Sequence, residues 1–399
     1  MKWVKAEDTR VPIKSWCDPI EAEALQQAKN LANLPFTFKH VALMPDCHTG
    51  YGMPIGGVLA TNGVVVPNAV GVDIGCGMAF VQTNVPADAL LGDKETLTSF
   101  VEHIKEEVPV GFNHHTKPVE WTGFYGAPDT QPVNQELDAA TYQLGTLGGG
   151  NHFIELQESD SGFLCLMVHS GSRNFGYKIA KYYNKLAQKL CKMWYSNIPE
   201  FKGEGGLAFL PIESSEAKEY MASMNFALSF AQESRARMLA IAFKSLEGAL
   251  HGYFHNLEAT KEVNIHHNFA AWEHHSGKNV IVHRKGATKA TKGLEGIIPG
   301  SMGTPSYIVR GLGNKDSFES CSHGAGRKMS RSAASKRLTI QDVRNAMGEI
   351  TFEIGKDRKG RPDLSEAPQA YKDIDEVIEA ERDLVEVLIK LKPLAVVKG

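Results

Sequence analysis

Val70-Gly71-Val72-Asp73-Ile74-Gly75-Cys76-Gly77-Met78 is the stretch on which the reading of this chain turns. It sets a carboxylate, Asp73, and a thiol, Cys76, three residues apart. Both side chains ligate metal ions once deprotonated. The interspersed glycines loosen the backbone, so both can turn toward one ion. Taken alone, the pair also suits a glycine-rich turn with a buried cysteine. Elsewhere the chain sets histidines in the same Gly-rich, strand-end surroundings. His152 follows Gly145-Thr146-Leu147-Gly148-Gly149-Gly150-Asn151, His169 ends the apolar run Phe163–Val168, and His266-His267 precedes Asn268. With Asp73 and Cys76 these make an Asp/Cys/His₃ set. Five donors are too many for one closed tetrahedral site and point to two ions sharing a ligand, for which a thiolate is the best bridge. Ligand softness alone suggests zinc.

The bulk numbers set the frame. The chain has 399 residues, 42% hydrophobic and 22% charged, as expected of a globular protein with a sizeable core. A net charge of -3 announces no polyanion partner, so any nucleic-acid surface is a local patch. The six cysteines show no regular framework, which favours a reducing compartment. The start of the chain does not read as a signal peptide, and no run of about 18 apolar residues occurs, so a cytoplasmic protein is expected.

In chain order, Asp18-Pro19-Ile20-Glu21 reads as N-cap, first-turn proline and N3 glutamate of a helix running to about Leu34. His40–Met44 reads as a strand, and Asn62-Gly63 as a hairpin turn between Val58–Thr61 and Val64–Val66. Met78–Val85 is a strand leaving the Asp73 loop, and Leu97–Val108 a helix; 111–135 shows no clean period. Glu216–Glu247 is the clearest helix, with Ser215 as its cap and Met221, Met224 and Leu228 on one buried face. Val280–Val282 and Tyr307–Val309 are strands, and Asp373–Lys392 reads as a final amphipathic helix closed by Pro393. Glycine motifs recur from residue 50 to 326 without a linker-like break, which favours one domain over 1–399.

His323 stands apart from the other histidines. It lies between Ser322 and Gly324-Ala325-Gly326, with Arg327 and Arg331 a helical turn apart in a helix expected to open there. An imidazole in such a turn can act as a nucleophile, and the arginines can grip phosphates. A helix start with two solvated arginines fits the same residues. No G-x-x-x-x-G-K-[ST] motif occurs, so a nucleotide would need another kind of pocket.

With these residues together, the chain resembles the RtcB family of GTP-dependent RNA ligases over nearly its whole length. The resemblance rests on Met44-Pro45-Asp46-x-His48, Gly71–Gly77, Gly150-Asn151-His152-Phe153 and His169-Ser170-Gly171-Ser172-Arg173. It continues through His267-Asn268, Arg284-Lys285-Gly286-Ala287, Pro299-Gly300-Ser301-Met302-Gly303, Ser322–Arg327, Tyr371-Lys372-Asp373 and Val397-Lys398-Gly399. It implies an α+β fold of mixed sheets with flanking helices, the site built from Gly-rich loops at strand ends. It also implies joining of RNA 3′-phosphate or 2′,3′-cyclic phosphate ends to 5′-hydroxyl ends. Asp73, Cys76, His152, His169 and His267 then fall on the ligands of two Mn2+ ions, with Cys76 bridging, which replaces zinc by manganese. His323 falls on the histidine that takes GMP from GTP. Asn151, Glu155, Ser301, Ser306, Ala325, Gly326, Tyr371 and Lys398 fall on guanylate-binding positions, and Arg173, Arg327 and Arg331 would face phosphates. Gly149 stands where the family usually has Thr, Asn174 where it usually has Gly, and 86–140 is compact for the family. Two other activities fit part of the pattern: a binuclear metal phosphodiesterase that opens cyclic-phosphate ends without His323, and a non-catalytic RNA-end-binding relative.

Overall fold

Alternating side chains along the strand Gly77–Pro86 reveal the layering of the computed structural model, which describes residues 1–5, 7–194, 196, 206–250, 256–356 and 360–399. Met78 and Phe80 enter one hydrophobic cluster with Phe153, Met167, Ile297 and Ile308. Ala79 and Val81 enter another with Ile154, Leu156, Leu166 and Val168. The pleat sends successive side chains to opposite faces, so a strand apolar at every position needs cover on both. The sheet containing it has the order Ala259–His266, Gly77–Pro86, Phe163–Ser170, Phe153–Ser159, Val385–Lys398, Ser306–Gly311, Glu295–Ile298. Its neighbours are antiparallel except Thr351–Phe352, which runs parallel to Val385–Lys398.

A second sheet has the order Trp3–Lys5, Ile13–Ser15, Thr37–His48, Ile55–Thr61, Lys278–Lys285, Asn268–His275. It too is covered on both faces, Ala42, Met44, Val58 and Val282 on one and Val41, Leu43 and Leu59 on the other. The sheets are joined at a single residue. Ala259–His266 is an edge strand of the first and Asn268–His275 an edge strand of the second, with His267 between them.

Helices complete the α+β architecture. Lys94–Glu107, capped by Asp93, and the far end of Ser215–Ala249 cover one face of the first sheet through Phe100, Ile104, Met238 and Leu246. Gln131–Gln143 and Arg173–Met193 pack on the near part of that long helix around Phe175, Tyr183, Tyr220 and Phe230. Register then places the chemistry. Gly77 aligns with both His266 and Ser170, His169 with both Met78 and Phe153, and Phe153 with Lys398. Five strand ends therefore meet at one end of the first sheet.

Several local expectations give way. The first helix is Ala22–Ala32 with Glu21 at its N-cap; the Asp18–Pro19 peptide is cis, and the Glu21 carboxylate accepts instead from the Thr49 N–H and hydroxyl. Asn62-Gly63 turns the chain, but Val64–Val65 pairs with Leu210–Pro211 rather than folding back on Ile55–Thr61. Ser214, not Ser215, caps the long helix, accepting from the Ala217 N–H. The turn at His323 opens no helix; Arg331–Arg337 starts after Ser330, whose hydroxyl caps it. Asp373–Lys392 is not one helix. A short helix, Ile374–Ala380, is capped by Asp373, and Val385–Lys398 is a strand with a register shift at Pro393. Its β-branched run suits a pleated surface, and a strand tolerates proline only where the ladder is interrupted.

Candidate active site

Cys76 lies just before Gly77, His152 just before Phe153, and His169 near the end of its strand, so register alone brings them together. The Cys76 Sγ is 3.3 Å from His152 Nε2 and 3.4 Å from His169 Nε2. His169 Nε2 is 3.4 Å from His267 Nε2, and His152 Nε2 is 3.2 Å from Asp73 Oδ2. The five residues form two triads that share Cys76: Asp73, Cys76 and His152, and Cys76, His169 and His267. Within each, the donor atoms lie within 4.8 Å of one another. His169 Nδ1 donates to the Asn151 carbonyl at 3.2 Å, which leaves the lone pair on Nε2.

Burial holds His169 and His267 well below the ordinary imidazole range and, with the nearby Asp73 charge, pushes the Cys76 thiol well up. For Asp73 burial also opposes ionisation, but contact with His152 outweighs it and the carboxyl is lowered. Imidazole nitrogens and a carboxylate gathered around one buried thiol are the donor chemistry of a metal site, where a bound ion would supply positive charge and favour the thiolate. The donor set fits a metal. The approach is tight: a Cβ on Gly171 would lie 2.2 Å from Asp73 Oδ1, so only glycine fits there.

One residue of this arrangement carried no signal in the sequence. Arg235, on the long helix, is wholly buried. Its Nη1 donates to the carbonyls of Gly75 (2.8 Å) and Ser170 (2.9 Å), its Nη2 to His266 Nδ1 (3.1 Å), and its Nε to Asn264 Oδ1 (2.9 Å). Gly75, Ser170 and His266 each neighbour a donor: Cys76, His169 and His267. Arg235 thus ties three segments of the cluster together, and it takes His266 out of contention as a ligand.

His323 sits beside the cluster, its ring centroid 4.7 Å from that of His267. Asp46 Oδ2 accepts from His323 Nδ1 at 2.6 Å and from its backbone N–H at 3.1 Å. Asp46 is fully buried. With Nδ1–H donating to a carboxylate, Nε2 is the ring nitrogen left available for chemistry. Asp46 falls within a motif quoted above, but nothing in its spacing linked it to a residue 277 positions away.

A cavity of about 1020 Å³ opens over both groups. Asp73, Cys76, His169, His267 and His323 line it, as do Asn151, Ser301, Ala325, Gly326, Arg327, Arg331, Tyr371 and Lys398. Glu155 and Ser306 do not line it; they lie behind its wall, both bonded to the Gln157 amide at 2.7 and 3.4 Å. Burial raises the Glu155 carboxyl to about 7. Arg173 is also outside the lining. It donates to Thr146 Oγ1 (2.8 Å) and the Gly111 carbonyl (2.6 Å), and its charge faces Asp73. Arg327 bonds Glu366 Oε2 (2.8 Å), the Tyr371 hydroxyl (3.1 Å) and the carbonyls of Met329 and Ser365. Arg331 bonds Glu366 Oε1 at 2.6 Å, and the Tyr371 hydroxyl donates to the same carboxylate. Burial opposes ionisation of Glu366, but Lys398, Arg331 and Arg327 outweigh it and hold the carboxyl at about 2. Like Arg235, Glu366 carried no signal in the sequence.

The family model described as tRNA-splicing ligase RtcB matches residues 27–123 and 115–399. The chain belongs to the RtcB family. It is 39% identical to the RNA-splicing ligase RtcB of Escherichia coli K12, over 97% of each chain. It is 33% identical to the tRNA-splicing ligase RtcB of Nanoarchaeum equitans, over 95% of this chain and 92% of that one. With the RNA-splicing ligase RtcB homolog 1 of Entamoeba histolytica it shares 32% identity over 95% of this chain and 84% of that one. Among the described residues, no helix is long and apolar enough to cross a membrane.

Proposed function

We propose that this chain is a GTP- and Mn2+-dependent RNA ligase that joins a 3′-phosphate or 2′,3′-cyclic phosphate end to a 5′-hydroxyl end. The observation that carries the reading is a carboxylate-held histidine, His323, beside a five-donor cluster in one cavity. A hydrolase that activates water on its metals needs no second, oriented nucleophile, and a binding protein needs neither. The relatives named as RNA-splicing ligases support the same choice.

Asp73, Cys76 and His152 would hold one Mn2+, and Cys76, His169 and His267 the other. When bound, the ions supply positive charge for the phosphoryl group in transfer and orient the reactants. His323 Nε2 attacks the α-phosphorus of GTP; a P–N bond forms, the bond to the bridging oxygen breaks, and pyrophosphate leaves. Asp46 fixes the ring and accepts from Nδ1–H throughout. A cyclic end is first opened by water to a 3′-phosphate. An oxygen of that phosphate displaces His323 from GMP, giving RNA-3′-ppG. The 5′-hydroxyl then attacks the RNA phosphorus, loses its proton and expels GMP. Asn151, Ser301, Ala325, Gly326, Tyr371 and Lys398 are the guanylate contacts in this reading. Glu155 and Ser306 reach the guanine edge after rotation of the Gln157 amide that engages both. Arg331 faces the phosphates, and Arg173 and Arg327 position the walls.

Incubation with α-labelled GTP and Mn2+ tests the reading. The protein should become covalently labelled, the label lost in acid and kept in alkali, as for a phosphoramidate. His323→Ala should lose the adduct and sealing from GTP, keep its bound Mn2+, and still seal RNA supplied with 3′-ppG. An adduct that persists in His323→Ala would move the nucleophile elsewhere. Opening of cyclic ends with no adduct in the wild type would favour the phosphodiesterase.

A further inference from the structure

The cavity has a further stretch of wall to which the ligase reading above assigns no guanylate contact. Glu21, Glu23, Thr49, Tyr51, Val72 and Lys285 line it. Its loop is pinned at three successive residues. Glu21 accepts from the Thr49 N–H and hydroxyl, Gln27 exchanges hydrogen bonds with Gly50, and the Lys285 ammonium donates to the Tyr51 carbonyl at 2.6 Å. On this fixed backbone the Tyr51 side chain is 70% exposed, and Val72, on the same cavity lining, is 42% exposed. A large ring held in water on a rigid loop, at the mouth of a cavity, gains nothing for the fold.

Charge distinguishes the two walls. The guanylate wall carries Arg327, Arg331 and Lys398 against a single carboxylate, Glu366, and so keeps an excess of positive charge. The second wall carries the carboxylates Glu21 and Glu23, and its Lys285 ammonium is engaged by the carbonyls of Tyr51 and Asn68. An acidic wall with an aromatic platform suits a ligand that has a flat π-face and no charge at its leading end. A 5′-hydroxyl nucleoside has both properties; a 3′-phosphate end has not. We propose that the second wall receives the 5′-hydroxyl strand, its terminal base stacked on Tyr51, and that Glu21 and Glu23 reject a 5′-phosphate in the same place. Stacking on one aromatic side chain tolerates any base, so this contact selects the chemistry of the end rather than its sequence. The inference rests on the ligase reading above.

The test uses the full chain loaded with Mn2+ and a single-stranded RNA carrying 2-aminopurine as its 5′-terminal nucleotide, with either a 5′-hydroxyl or a 5′-phosphate. Stacking quenches the fluorescence of this base. Wild type and Tyr51→Phe should quench it. Tyr51→Ala should lose the quench and bind about tenfold more weakly. The 5′-phosphate RNA should bind more weakly than the 5′-hydroxyl RNA, and Glu23→Gln should narrow that gap. Equal affinity and quench in Tyr51→Ala would overturn the proposal. So would a quench that appears only when 2-aminopurine sits at the 3′-phosphate end. The readout needs no turnover: a wild type that quenches yet neither takes up GMP nor seals would sink the ligase reading and leave the stacking contact standing.

Discussion

The two sides of His323 are built on opposite principles. On the metal side, burial holds three of the five donor residues, Cys76, His169 and His267, toward their neutral forms, and the nitrogen and sulfur atoms of the cluster lie 3.3 to 3.4 Å apart. On the guanylate side, Arg327 and Arg331 are paired to Glu366, with Tyr371 and Lys398 close by. The first arrangement offers donor atoms to a metal ion; the second pairs its charges internally and supplies shape and residual positive charge. Loss of a residue on the first side should therefore show in metal content, and on the second side in fold stability and nucleotide affinity.

The sharpest way to break this comparison is Cys76→Ala. Cys76 belongs to both triads, so one substitution removes a donor from each. We expect bound Mn2+, measured by elemental analysis after desalting, to fall to background, and joining to drop by at least about a hundredfold, more than removal of an outer partner costs. Cys76→Ser should recover little, because a neutral hydroxyl is a poor bridge. Wild-type metal stoichiometry in Cys76→Ala would mean that the two triads are not one site.

Glu366→Gln is the counterpart on the other side. It leaves two guanidiniums and the half-buried Lys398 ammonium without their carboxylate. Removing one partner of a buried ion pair costs roughly 3–5 kcal/mol, less here because Arg331 is half exposed. The melting temperature should drop by several degrees and KM for GTP should rise, while Mn2+ content stays at the wild-type value. A loss of metal in Glu366→Gln would erase the distinction between the sides.

The comparison also explains what the sequence disclosed. The metal donors were legible because each stands beside a strand end marked by glycine or by the close of an apolar run, as at Gly75-Cys76-Gly77 and Met167-Val168-His169. Glu366 sits in Leu364-Ser365-Glu366-Ala367-Pro368, where no period or spacing separates it from any solvated glutamate. Arg235 lies in a helix with one other arginine, the half-buried Arg237, which pairs with Glu233 one turn away; that Arg235 is buried follows only from the packing of three distant segments on it. The C-terminal misreading has a similar origin. Acidic residues at 373–381 and basic ones at 390–392 imitate helix-end charges, yet pairing of Leu391 with Ser306 and of Lys398 with Phe153 decides the strand, and those partners are remote in sequence.

A milder effect is expected from pH. Glu155 is raised from the ordinary carboxylate value to about 7 by burial. The folded protein therefore favours its protonated form. That contribution is fully present below about 4.5, and it is lost as pH rises toward 7, by roughly 3 kcal/mol at most. Glu155→Gln keeps a neutral side chain, so its melting temperature should rise relative to wild type as pH goes from 5 to 7. The slope that remains combines Glu381, which burial holds at about 8 behind Ser322, with the imidazoles of His40, His48 and His283, which burial holds at about 4. The contribution of these imidazoles to stability rises as pH climbs to about 6.5. An unchanged profile in Glu155→Gln would mean that Lys398 already keeps Glu155 ionised.

The smallest effect should come from the turn that touches both sides. Gly148, Gly149 and Gly150 are consecutive, yet their surroundings differ. A Cβ on Gly148 would lie 2.4 Å from His152 Nδ1 and 2.6 Å from Arg173 Nη1, so Gly148→Ala pushes directly on the metal side. At Gly150 the φ is +78°, and a Cβ would lie 3.0 Å from Arg331 Nη2, so Gly150→Ala strains the backbone and presses on the guanylate side. Gly149 is exposed, and its Cβ would meet nothing nearer than Gly111 Cα and the Gly399 carbonyl, each at 3.9 Å. The family's usual threonine therefore has room here, and this chain's departure is a tolerated one. Gly149→Thr should change stability by no more than about 0.5 kcal/mol and leave Mn2+ content and GTP affinity unchanged. Gly148→Ala should lower Mn2+ content, and Gly150→Ala should raise KM for GTP. Three adjacent substitutions with three separate readouts would show the boundary between the two sides running through a single turn; a Gly149→Thr as damaging as its neighbours would show that the turn moves as one body and that the sides are not independent.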